Sequence, residues 1–133
     1  MKVFLLRVSD EGVVYQGYIH PEFPNELKAM QEYVGGYIEH VDLEDGIDIF
    51  FNEEGKQLRL PLNRVWCDKD GRVLDILCGN ILCCRHAEDE LADIQESDIE
   101  KIIEVLGAFD SIYEKQAIIL REDKCPVYSE TGK

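Results

Sequence analysis

The sequence predicts an α+β domain: a mostly antiparallel β-sheet built from hairpins, one helix after the first hairpin, and one or two C-terminal helices. Three observations carry this. Across roughly the first two-thirds of the chain, runs rich in β-branched and aromatic residues alternate with polar ones between glycine-bearing turns. Within that region, "NELKAMQEYVGG" carries apolar residues at helical spacing and ends in two glycines. From Ile94 onward the apolar period becomes helical. Strands grouped before helices favour an antiparallel sheet with helices laid on it.

The elements follow in order. "VFLLRVS" and "VVYQGYI" form a hairpin, roughly Val3–Val8 with Val13–Ile19, reversing at Asp10-Glu11-Gly12. Pro21 and Pro24 stop it, because proline has no amide hydrogen for a ladder. In the first helix Asn25 is the expected N-cap, and Leu27, Met30 and Val34 share the apolar face. Gly35 or Gly36 takes positive φ and closes the helix. Gln31 lies beside the apolar face, where a buried amide needs partners.

A second hairpin follows, "YIEHVDL" with "IDIFFNEEG", with one apolar face made by Ile47, Ile49 and Phe51. "NEEGK" turns the chain with Gly55 as its positive-φ residue, and Leu58–Leu60 returns as a strand that Pro61 ends. After a "DKDG" turn, "VLDILCG" and "NILCCR" are strands joined by a bulge at Gly79-Asn80. Ser97 and Glu100 have capping-box spacing ahead of the helical face Ile99, Ile102, Ile103 and Leu106, with a helix start one or two residues earlier as the alternative. Residues 108–121 read as a third helix through Phe109, Ile112, Tyr113 and Leu120, or as an edge strand at "AIIL". The division is one domain over residues 1–122 and a flexible tail over 123–133.

Composition narrows the functions. At 133 residues and 45% hydrophobic, the chain supports a single modest core. No apolar run is long enough for a membrane span, and Arg7 interrupts the N-terminal apolar stretch, which reads as a strand and not a signal peptide. The 28 acidic residues against 14 basic give a formal charge of −14. Such a surface repels nucleic-acid phosphates and anionic membranes, and suits basic protein partners and cations. A homo-oligomer is compatible with these properties. The five cysteines, an odd number, fit reduced thiols in a cytosol.

The motifs that would carry chemistry are missing. Cys78, Cys83, Cys84 and His86 lack the spacing of a zinc knuckle, and Cys83 and Cys84 point to opposite faces of a strand. No metal and no cofactor is therefore expected. His20, His40 and His86 sit in no nucleophile signature, with His40 read as a solvated strand residue. "VGGY" ends a helix, the reverse of a phosphate loop, and Glu53-Glu54 lie in a turn where solvation is the default.

The stretch "NEEGK…LPLNR" is the best binding candidate. Asn52 suits an Asx turn, but Asn63 and Arg64 follow Pro61, where a strand-end amide and guanidinium can grip a carboxylate, phosphate or base edge. The competing reading for Arg64 is an internal ion pair. The expected polar surface is Gln31, Asn52, Glu53, Asn63 and Arg64, walled by Tyr37 and Trp66.

The stretch from Leu27 to Leu82 resembles a family of unknown function found in bacteriophages and mobile elements. The match rests on Met30-Gln31, Val34–Glu39, Asn52–Lys56, Leu60-Pro61, Asn63-Arg64 and Gly79, with Met30 standing where the family usually has leucine. The resemblance implies an accessory protein acting in the bacterial host cytosol. It would bind a small molecule or a host protein without catalysing a reaction, and so counter host defence. Two alternatives stand beside it: an acidic interaction module or DNA mimic, and a hydrolase or transferase acting on a nucleotide-like substrate.

Overall fold

A computed structural model describes residues 1–107. Its strands are β1 (Val3–Leu6), β2 (Tyr18–His20), β3 (Ile38–Glu44), β4 (Ile47–Asn52), β5 (Leu62–Cys67), β6 (Val73–Cys78), β7 (Ile81–Ala87) and β8 (Glu90–Ala92). Its helices are α1 (Leu27–Val34) and α2 (Glu96–Leu106). The main sheet runs β2-β1-β7-β4-β3, with β8 paired to the far end of β7, and β5 and β6 form a separate ribbon. Every pairing is antiparallel. The architecture is the α+β class expected.

The central strands are apolar on both faces, so both must be covered. On one face, Val3, Leu5, Tyr18, Phe50, Leu82 and Cys84 pack with Met30 of α1 and with Phe23. On the other, Phe4, Leu6, Ile47, Ile49, Ile81 and Cys83 pack with α2 through Ile102 and Leu106, and with Leu77 of the ribbon. Hence the second hairpin does not have a single apolar face: every residue of β4 is buried, including Asp48 and Asn52. Among the described residues no helix is long and apolar enough to cross a membrane.

Several local expectations are corrected. The N-cap of α1 is Glu26, not Asn25, and it makes no side-chain cap bond. Leu27 is 59% exposed, so the buried stripe is Met30 and Val34 with Tyr33 beside them. Gly55 is absent from the positive-φ residues, and Arg59 turns left-handed instead, at φ 57°. Glycine is needed at 55 for space, since a Cβ there would stand 2.6 Å from the Cys78 carbonyl oxygen. Leu58–Leu60 is a turn, not a strand, and Pro61 precedes β5, not ends a strand. Gly79, at φ 93°, is a corner between two sheets, not a bulge within one. The short strand β8 lies inside the acidic stretch, where none was expected. The third helix or edge strand, the tail and Cys125 lie outside the described residues.

Helix α1 ends on Gly35, at φ 87°, whose amide donates to the Gln31 carbonyl at 2.8 Å. Gly36 is not left-handed, but a Cβ on it would meet the Asn52 amide nitrogen at 3.0 Å. Gly35→Ala is expected to cost about 1 kcal/mol through its backbone conformation. Urea unfolding of the single variant against wild type checks this, and an unchanged midpoint refutes it.

Candidate functional site

The seven residues expected to form one surface are held by different parts of the fold, and most of their polar atoms are used internally. Asn52 ends β4, with its Nδ2 donating to the Val34 carbonyl at 3.2 Å and its Oδ1 accepting from the Glu54 amide at 2.8 Å. It therefore ties the end of α1 to the turn after β4. Glu53 is exposed, and its amide donates to the Tyr37 carbonyl at 3.0 Å. Tyr37 is 67% exposed, while Gln31 is half-buried and its carbonyl accepts from both Gly35 and Gly36.

Asn63 and Arg64 form a second group, at the start of the ribbon. Asn63 is 0% exposed, and its Nδ2 donates to the Leu6 carbonyl at 2.9 Å and the Gly79 carbonyl at 2.8 Å. Arg64 Nη1 donates to the Asn63 side-chain oxygen at 2.8 Å and to its carbonyl at 3.0 Å. Arg64 Nη2 reaches the Tyr15 carbonyl at 3.0 Å. This pair links the ribbon to the end of β1 and to the Gly79 corner. The partners Leu6 and Tyr15 lie far away in sequence, so no local pattern could reveal them.

Trp66 lies elsewhere. The bulge between Leu62 and Arg64 resets the alternation of β5, so Val65 and Cys67 pack with Val14 while Trp66 faces the other way. Together with Leu43, Leu74 and Val105 it lines an open cleft of about 670 Å³ between the edge strand β3, the ribbon and α2. Lys101 and Glu44 pair across its rim at 2.7 Å. The hydrogen bond from Lys101 holds the Glu44 carboxyl below its usual range. Cys67 also lines the cleft, but burial and then the Asp68 carboxylate push its thiol up, so it is a weak nucleophile. Leu74 was not singled out by sequence. No sequence signal marks it, since an apolar residue after the "DKDG" turn reads as core and only the structure leaves it 54% exposed.

The thiols of Cys67, Cys78, Cys83 and Cys84 are free. Cys83 and Cys84 face opposite cores, as the strand alternation requires. Burial, followed by the Asp48 carboxylate, pushes the Cys84 thiol up to about 12.

No curated protein and no solved structure matches the chain. A family model described as "Domain of unknown function (DUF3846)" matches residues 1–107, and the chain belongs to that family.

Proposed function

We propose that the chain is a non-enzymatic accessory protein of a phage or mobile genetic element. In this reading it binds a small molecule or a host protein in the bacterial cytosol, and so counters host defence. The binding surface is the cleft around Trp66. The observation that carries this is an open, largely apolar-walled cleft beside a sheet edge, at the one expected site residue that packs as a wall. The mobile-element part rests on the "VGGYIE", "NEEGK" and "LPLNR" resemblance. The non-enzymatic part is supported by the cleft's lining, where the one thiol, that of Cys67, packs toward Val14 and is pushed away from reactivity by burial. Asn52, Asn63 and Arg64 contribute by holding the frame on which the cleft is built.

Native mass spectrometry of the chain purified from its natural host, wild type beside Leu74→Glu, tests this. Wild type is expected to retain a species that the variant loses while unfolding at the same temperature. Trp66 is the single tryptophan, so its emission should shift when the retained species is returned to stripped protein. Retention should also survive raised salt, because a shaped apolar site depends little on screening. A variant that keeps the species overturns the cleft assignment. Loss on raising salt alone favours binding by the acidic surface instead.

A further inference from the structure

The face of the sheet opposite the cleft carries a cluster that the binding reading does not use. Asp48 sits in the middle of β4 and is 1% exposed. Its direct neighbours in the ladders are Asp42 on β3 and Cys84 on β7. Two carboxylates directly opposite one another repel, so their pairing calls for a positive partner. The ion-pair partners of Asp48 among the described residues are two imidazoles, not a lysine or arginine. His86 Nδ1 lies 2.8 Å from Asp48 Oδ1, and His40 Nε2 lies 3.1 Å from the same oxygen. Asp48 Oδ2 is buried without a hydrogen-bond partner. A buried carboxylate oxygen left unbonded is costly, and such atoms mark places where a partner belongs.

We infer that Asp42, Asp48 and His86 bind a divalent transition-metal ion, with His40 adding a second imidazole beside them. One ligand atom from each of the three residues lies within 4.8 Å of the other two. Around a tetrahedral ion with bonds of about 2.1 Å, ligand atoms stand about 3.4 Å apart, so modest side-chain adjustment closes the site. The supports are stiff. Asp48 is fixed by a strand buried on both faces, and His40 stacks on Phe50 with ring centroids 4.8 Å apart and planes 18° apart. Asp42 is exposed and His86 half-buried, which gives an ion a route in from solvent. Mixed imidazole and carboxylate donors suit zinc, cobalt, manganese or ferrous iron better than calcium, which prefers oxygen alone. The cysteine spacing gives no metal site. These donors come instead from three strands, where spacing along the chain carries no information. The inference stands independently of the Trp66 cleft, since Leu43 and Trp66 pack on the α2 side of the sheet, whereas Asp48 lies beside Cys84, which packs on the other side.

Titration of the full chain with Zn²⁺ and with Co²⁺, followed by calorimetry and visible absorption, tests the site. One ion per chain is expected, with cobalt showing d–d bands and no thiolate charge-transfer band. Asp42→Asn and His86→Ala should each weaken binding tenfold or more, about the least that loss of a supporting partner costs a metal site. Asp42 is exposed, so Asp42→Asn should keep the metal-free circular dichroism and melting temperature of wild type, while His86→Ala removes a partner of buried Asp48 and has its affinity measured below its own melting transition. Absence of stoichiometric binding, equal affinity in the variants, or a thiolate band placing the ion on cysteine would each overturn the inference.

Discussion

Asn63→Leu is expected to destabilise the domain by about 3–5 kcal/mol, more than any exposed substitution. Leucine has the branching of asparagine, so the change leaves no cavity, and its bulkier methyl groups add crowding to the polar loss. Two buried carbonyls, those of Leu6 and Gly79, lose their donor together. Each buried polar group left unpaired costs about 1–3 kcal/mol. The Arg64 guanidinium also loses its 2.8 Å acceptor on the Asn63 side chain. Equilibrium denaturation should show a lower midpoint with an unchanged slope, and heating a melting temperature lower by about 10 °C or more. Arg64→Ala should cost about 2–4 kcal/mol, because it strands the same oxygen and the Tyr15 carbonyl. The two residues share a bond, so the double variant should lose clearly less than the sum of the two single changes. A stable Asn63→Leu protein, or strict additivity, would show that the pair does not clamp the ribbon to the sheet. A stable Arg64→Ala protein that had lost its binding partner would return Arg64 to a ligand-facing role.

The fold was legible where the signal is local. The Asp45-Gly46 reversal between β3 and β4 needs two positive φ values, 57° and 80°, and the residues announce them. The Gly35 cap, the β-rich opening of β1 and the helical period of α2 are likewise properties of neighbours in sequence. Long-range pairing was not legible. Nothing near β1 indicates that Phe4, Leu5 and Leu6 pair with Cys83, Leu82 and Ile81. Once β7 lies between β1 and β4, both faces of the sheet need cover, and the polar residues of β4 become buried. The same blindness applied to function. Trp66 stands out as the single tryptophan, but nothing near it in sequence indicates that Leu43 and Val105 line the same cleft. Asn63 and Arg64 looked like ligand-gripping groups because their partners, Leu6, Tyr15 and Gly79, belong to other elements. His40, Asp48 and His86 meet only through sheet registry. Pro61 misled for a related reason: proline is tolerated before a strand as readily as after one, and only the ribbon shows which side was used.

Asp98→Ala is expected to cost about 2–4 kcal/mol, combining a lost helix cap with a stranded cation. Ser97 and Glu100 have capping-box spacing in the sequence, with a start one or two residues earlier left open; the N-cap is Gln95, two residues earlier, and the reciprocal arm comes from Asp98. Its Oδ2 accepts from the Gln95 amide at 2.9 Å, while its Oδ1 pairs with Arg85 on β7. One carboxylate thus closes the first turn of α2 and pins that turn to the sheet. Asp98 is buried and the Arg85 side chain mostly so, which places this pair above an exposed ion pair in worth. Arg85 keeps a second contact, to the Asp45 carbonyl at 2.7 Å, so it is not left wholly without a partner. Asp98→Asn keeps one oxygen, which can serve the Gln95 amide or the Arg85 guanidinium but not both, and sets an NH2 donor at the other position. It should cost about 1–2 kcal/mol, between wild type and alanine, because one of the two acceptor roles survives. The order wild type, asparagine, alanine in urea midpoints is the test. Asparagine as damaging as alanine would make the ion pair the whole effect. Alanine within about 0.5 kcal/mol of wild type, the range of ordinary surface substitutions, would mean that α2 is held by Ile102 and Leu106 alone.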